Sequence, residues 1–231
     1  MTRAATALAR RVRAELTLAA DSARAPGMQA YMKSAMPYHG ITSPAMRAIC
    51  KRVFAEQPPA SCGEWQAAVF ELWRRARFRE ERYAAIELAA LKAFKSCRTP
   101  EVLPMYEEMI TTGAWWDYVD ALAHQVGEML KSYPKQLRPV MRAWSRQEDI
   151  WKRRVSIICQ ISFKTGTDLD LLYANIEPNL AERDFFIRKA IGWALRAYAW
   201  TDPDEVVRYV TAHEDRLSGL SRREALKNIG A

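Results

Sequence analysis

Apolar residues return at every third or fourth position along almost the whole chain, and no other feature restricts its fold as strongly. Trp65, Val69, Leu72 and Trp73 are one such set. A period near 3.6 gathers these side chains on one stripe of an α-helix, whereas a strand would scatter them over both faces. Glycine, with nine residues in 231, is scarce. Strand-like alternation bounded by turn residues is hard to find. The spacing predicts an all-α chain of about a dozen helices of roughly ten to eighteen residues, joined by short loops. A capping residue followed by proline marks helix starts at Ser43-Pro44, Thr99-Pro100 and Asp202-Pro203. Ser221-Arg222-Arg223-Glu224 has the spacing of a capping box. The opening MTRAATALARRVRAEL is basic and alanine-rich but has no apolar signal core, and it reads as a first amphipathic helix.

A longer period lies over the helical one. Trp116, Trp151 and Phe186 stand 35 residues apart, each opening a segment of aromatic, charged and then small or branched apolar residues (WDYVDALA, WKRRVSII, FIRKAIGW). A repeat of that length with two helices per unit suggests an α-solenoid of the HEAT type, with an ordinary helical bundle as the alternative. In a solenoid the second helix of each pair lines one concave, basic face. Residues flanking Trp116, Trp151 and Phe186 would then share a groove. The whole chain, 1–231, is expected to form a single domain of this kind.

Hydrophobic residues make up 49% of the chain, enough for a sizeable core, yet no run of eighteen apolar residues offers a membrane span. The formal net charge of +8 attracts polyanions. Cys50, Cys62, Cys97 and Cys159 are widely spaced, with no CxxC pair. They are expected to be reduced, buried and hydrophobic in behaviour. No GxGxxG or GK[ST] loop, no HExxH and no GxSxG elbow is present, which argues against hydride transfer, nucleotide hydrolysis and zinc hydrolysis. No cofactor or metal is expected. The default location is the cytoplasm, on the nucleoid if the source is bacterial, and the default state a monomer. Chemistry then falls to carboxylates, arginines and aromatic rings.

Three segments concentrate those groups. In Trp115-Trp116-Asp117-Tyr118-Val119-Asp120, Trp116 and Asp120 are four apart and share a helix face, while Asp117 suits the helix N-terminus. In Asp149-Ile150-Trp151-Lys152-Arg153-Arg154, the repeat puts Arg154 on the same face, one unit on. In Phe185-Phe186-Ile187-Arg188-Lys189-Ala190-Ile191-Gly192-Trp193, a mid-helix glycine beside tryptophan implies close approach of a helix or a ligand. Arg188, Lys189, Arg196, Arg222, Arg223 and Lys227 are candidates for neutralising phosphates.

With these residues in place the sequence resembles the HEAT-like-repeat DNA alkylation repair glycosylases, the AlkD family. The resemblance runs from about residue 25 to 229, and residues 1–20, 34–39 and 55–64 depart from it. It rests on Y-M-K-x6-G-I-x-S-P-x-R (Tyr31 to Arg47), W-W-D-x-V-D (Trp115 to Asp120) and I-W-x-x-R (Ile150 to Arg154). F-F-I-x-K-A-I-G-W-x-L-R-x-Y-A (Phe185 to Ala199) and S-x-R-E-A-x-K-x-I (Ser221 to Ile229) complete it. It implies excision of cationic N3- or N7-alkylated purines from duplex DNA. It assigns the catalytic aspartate to Asp120, the tryptophans flanking the lesion's sugar to Trp116 and Trp193, and the active-site arginine to Arg154, which would hold a phosphate and position Asp120. Tyr31, Phe185 and Phe186 become cleft-lining residues, and Lys33 and Arg47, the bases of the first motif, become DNA contacts. The competing expectations are a non-catalytic member that binds bent or branched DNA by shape, and a helical scaffold for an acidic protein.

Overall fold

The computed structural model describes residues 3–229, and among them it is helical throughout, with thirteen α-helices, four short 3-10 segments and no strand. Contacts divide the chain into two compact units, Met1–Arg98 and Thr99–Ala231.

The first unit holds α1 (Arg3–Leu18), α2 (Ala25–Met32), α3 (Ser43–Glu56), α4 (Cys62–Arg74) and α5 (Arg79–Ala89). The expected first amphipathic helix is present: α1 buries Ala5, Leu8, Ala9, Val12 and Leu16 and packs on α3, α4 and α5. The loop before α3 carries the glycine of the first motif. Gly40 has φ +86, and a Cβ there would stand 2.1 Å from the Asp21 carbonyl oxygen, so only glycine fits. The carboxylate of Glu80 (1% exposed) accepts from the backbone N–H groups of His39, Gly40 and Ile41 and closes that loop onto α5. The expectation of four reduced cysteines is corrected here. Cys62 at the start of α4 and Cys97 at the end of a 3-10 segment form a disulfide across a separation of 35 residues, their Cα atoms 5.4 Å apart. Residues this distant in sequence meet only through tertiary packing, and no local pattern announces them. Cys50 and Cys159 are buried free thiols, as expected, and loss of hydration pushes both up to about 12.

The second unit holds α6 (Leu103–Gly113), α7 (Trp116–Ser132), α8 (Pro134–Trp144), α9 (Ile150–Ile158), α10 (Leu169–Ile176), α11 (Phe185–Ala199), α12 (Pro203–Ala212) and α13 (Gly219–Leu226). They alternate as the repeat requires. α7, α9, α11 and α13 pack one against the next. α6, α8 and α12 flank them as partner helices of α7, α9 and α13, and α10 packs on α8 and α9. Leu122 and Val126 of α7, Val155 and Ile158 of α9, and Ile187 and Ile191 of α11 fill the core between them. Buried amides stitch successive pairs together: Asn175 donates to the Ser156 carbonyl and Asn179 to that of Ser145.

Helix starts follow the capping logic with two shifts. Asp149, Asp184 and Asp202 cap α9, α11 and α12 through their carboxylates. For α3 the cap is Thr42, so Ser43 is already inside the helix. The box expected at Ser221 to Glu224 does not form. Ser218 caps α13 by accepting from the Ser221 N–H, and Ser221 and Glu224 reach across to α11 instead.

Candidate active site

The second helices begin at caps Trp115, Asp149, Asp184 and Ser218, at intervals of 34 or 35 residues. Because these helices stack in order, residues equally far past the cap occupy matching places. Five past the cap stand Asp120, Arg154, Lys189 and Arg223: one acid at the head of a row of bases. This register differs by one residue at α7 from the even spacing of Trp116, Trp151 and Phe186. The rings that meet are those of Trp115, Trp151 and Phe186. Trp151 lies 6.3 Å from Trp115 and 5.0 Å from Phe186, and Trp115 and Phe186 stand edge-on at 5.5 Å. Phe185, 53% exposed, packs edge-on against Phe186. Trp115 is delivered by Ala114, whose left-handed backbone (φ +43) ends α6 and costs about 1–2 kcal/mol in a residue with a side chain. Such strain recurs where the chain must place a functional group.

Asp120 sits one turn into α7, four residues after Trp116, and both are half-buried. Arg154 of α9 faces it with a two-pronged bond, Nε to Oδ1 at 2.7 Å and Nη2 to Oδ2 at 2.8 Å. Its Nη1 donates to the Phe186 carbonyl at 2.6 Å. The Asp120 side chain keeps 17% of its exposure and that of Arg154 only 5%. All three nitrogens of Arg154 are therefore engaged in a buried setting. Of the two tasks expected of Arg154, the positioning of Asp120 is the one this geometry displays: the guanidinium is a bracket that fixes a carboxylate. Its carbon also lies 6.0 Å from the centroid of Trp193 on α11, at the outer reach of a cation–π contact. One arginine thus ties Asp120 of α7 to Phe186 and Trp193 of α11.

The glycine before Trp193 is explained by packing. A Cβ on Gly192 would stand 2.4 Å from the Cβ of Glu224 and 2.9 Å from the Ser221 carbonyl oxygen, so α13 crosses α11 at this point. Ser221 Oγ donates to the Arg188 carbonyl. Glu224 pairs with Lys189 at 2.9 Å and also with Arg196. The Lys189 ammonium, with Arg196 behind it, holds the Glu224 carboxyl below the usual carboxylate range.

The other expected contacts divide by environment. Arg223 and Lys227 are exposed, with no ion pair among the described residues, and Arg188 leans on the Asp184 carbonyl of its own helix. Arg222 pairs with Glu214 on the surface. In the first unit Tyr31 is 78% exposed near the end of α2, Lys33 forms the left-handed cap of that helix, and Arg47 pairs with Glu87. Sequence reasoning gave no role to Glu80 or Trp115, and read Glu224 only as the acid of a capping box. The doubled tryptophan and the S-x-R-E-A motif held two of them in view, but nothing in the linear pattern indicates which residue an acid will pair with.

The model of a protein family described as "DNA alkylation repair enzyme" matches residues 12–229. This chain belongs to that family. Among solved structures, a protein described as a predicted DNA alkylation repair enzyme from Enterococcus faecalis is 30% identical. That alignment covers 91% of this chain and 97% of the other, with a TM-score of 0.79. AlkD2 from Streptococcus mutans, 18% identical, covers 79% of this chain and 89% of its own with a TM-score of 0.60, and likeness at that identity concerns the fold alone. None of the curated proteins matches the sequence. Family membership agrees with the resemblance read from the motifs, and the all-α repeat architecture is shared with these structures. No helix among the described residues is long and apolar enough to cross a membrane. No group of His, Cys, Asp and Glu residues among them could hold a metal ion.

Proposed function

We propose that this alkylation repair protein is a monofunctional DNA glycosylase that removes cationic N3- or N7-alkylated purines from duplex DNA, with the active site at Asp120. The observation that carries the proposal is the oriented carboxylate: Asp120 held by two bonds from a buried arginine, with Trp116 on its own helix face and Trp193 beside that arginine. The reaction is hydrolysis of the bond between the base nitrogen and C1′. An alkylated purine already carries positive charge, so the bonding electron pair passes to the base, which leaves neutral and needs no protonation. Positive charge then develops on the sugar. A carboxylate pointing at C1′ stabilises that charge, and the attacking water passes its proton to Asp120 or to solvent. Asp120 suits this role because Arg154 occupies only part of its acceptor capacity and some solvent access remains. The indole faces of Trp116 and Trp193 favour a cationic sugar over a neutral one by about 0.5–2 kcal/mol each when desolvated. That preference for the transition state accelerates the reaction, which equal binding of both states would not do.

The test is base release from duplex DNA containing 7-methylguanine. The wild type is expected to release the base. Asp120→Asn is expected to be slower by about 10²–10³-fold, the scale of one lost electrostatic stabiliser. Equal rates would remove Asp120 from the mechanism. A wild type that binds bent or branched DNA and releases nothing would replace this proposal with a non-catalytic, shape-reading protein.

A further inference from the structure

The clamp of α13 on α11 carries a consequence beyond packing. Trp193 sits one residue past Gly192, where the two helices approach so closely that no side chain fits between them. The residues on either side of that crossing, Lys189 four before Trp193 and Arg196 three after it, both reach the same carboxylate, Glu224. On a helix these spacings put Lys189, Trp193 and Arg196 on neighbouring rows of one face. The Glu224 side chain retains 17% of its exposure, Arg196 22% and Lys189 36%. The acid is thus the innermost of the three and holds the turn that bears Trp193 from both sides. The same contact occupies Lys189, which by position continues the basic row begun at Arg154, and Arg196, seven residues further along α11.

We infer that Glu224 is a positioning residue, which seats Trp193 for the sugar and withholds Lys189 and Arg196 from DNA phosphates. The inference rests on the glycosylase reading and deepens it: one acid on the C-terminal helix exchanges DNA affinity for a correctly placed indole. A purely structural acid would behave differently, since its loss would weaken binding and base release together. Loss of this one separates them. Two cations become available to phosphates, so binding tightens and its salt dependence steepens, while the turn carrying Trp193 loses its anchor and the chemical step slows.

The experiment uses Glu224→Gln in the full chain, which keeps the shape and the Gly192 crossing and removes only the charge. Single-turnover release of 7-methylguanine is measured alongside the dissociation constant for undamaged duplex DNA over a range of salt, with a thermal melt to confirm folding. The expected result is release slower by about tenfold, a cost typical of a slightly misplaced group. Binding should tighten, with the slope of log affinity against log salt steeper by about 1 to 2, one unit for each phosphate gained. Unchanged release, or affinity that falls or stays constant, overturns the inference. These outcomes concern the variant alone, whereas failure of the wild type to release the base counts against the glycosylase reading itself.

Discussion

Arg154 and Asp120 show how one pair of side chains converts sequence into a site. The I-W-x-x-R motif singled out the arginine, and the resemblance gave it two tasks, to hold a phosphate and to position Asp120. Burial favours the second. At 5% exposure, with bonds from all three nitrogens to Asp120 and the Phe186 carbonyl, it acts inward. Its removal should therefore cost stability as well as rate. Arg154→Met would strand a half-buried carboxylate, and about 3 kcal/mol, the low end for breaking a buried pair, is the expected loss, because Asp120 retains some water. Arg154→Lys preserves the charge but replaces a planar fork with a single point donor, so it should recover part of the stability and little of the base release. Urea unfolding and release assays on the two variants separate these effects. A methionine variant as stable and as active as the wild type would remove the bracket from the argument.

At the level of elements, the helices follow from local rules while their joints do not. Period, caps and prolines in the sequence mark out most of the helices, and Asp202 caps α12 as anticipated. The apparent box at Ser221 was misleading because its serine and glutamate had better partners on α11 than on their own backbone. The pairing of Cys62 with Cys97 escaped notice for the same reason, being a contact between segments 35 residues apart. That bond closes α4, α5 and the following 3-10 segment into one loop of the first unit. Closing a loop of this length stabilises a chain by about 2–4 kcal/mol, chiefly through the unfolded state. Reduction with dithiothreitol should lower the melting temperature. It should also expose two thiols to a disulfide reagent at neutral pH while Cys50 and Cys159 stay silent until unfolding, since burial disfavours both of their thiolates. Four thiols reacting in the native, unreduced protein would contradict the pairing.

For the whole molecule the governing quantity is charge: 35 Lys and Arg face 27 Asp and Glu, a net +8, and several of those cations are already engaged in ion pairs. DNA affinity should fall with salt in proportion to the phosphates neutralised, by a slope of about 0.9 per contact. Arg223 and Lys227, exposed and without ion pairs among the described residues, should each take about one unit from that slope when changed to glutamine. Arg154→Met should take far less from the slope than either, because the guanidinium it removes is already bonded to Asp120 and the Phe186 carbonyl. A slope indifferent to Arg223 and Lys227 would place the DNA elsewhere on the surface. The sequence alone indicated that the chain is helical, that its second half repeats about every 35 residues, and that acid, arginine and tryptophan stand at matched places, because these are periodic properties of a linear pattern. Only the tertiary structure decided that Arg154 is buried with a bond to the Phe186 carbonyl, that Glu224 holds Lys189 and Arg196, and that two cysteines join, because pairing depends on which helix faces which. Burial then determines whether a charge meets water, a phosphate or another side chain.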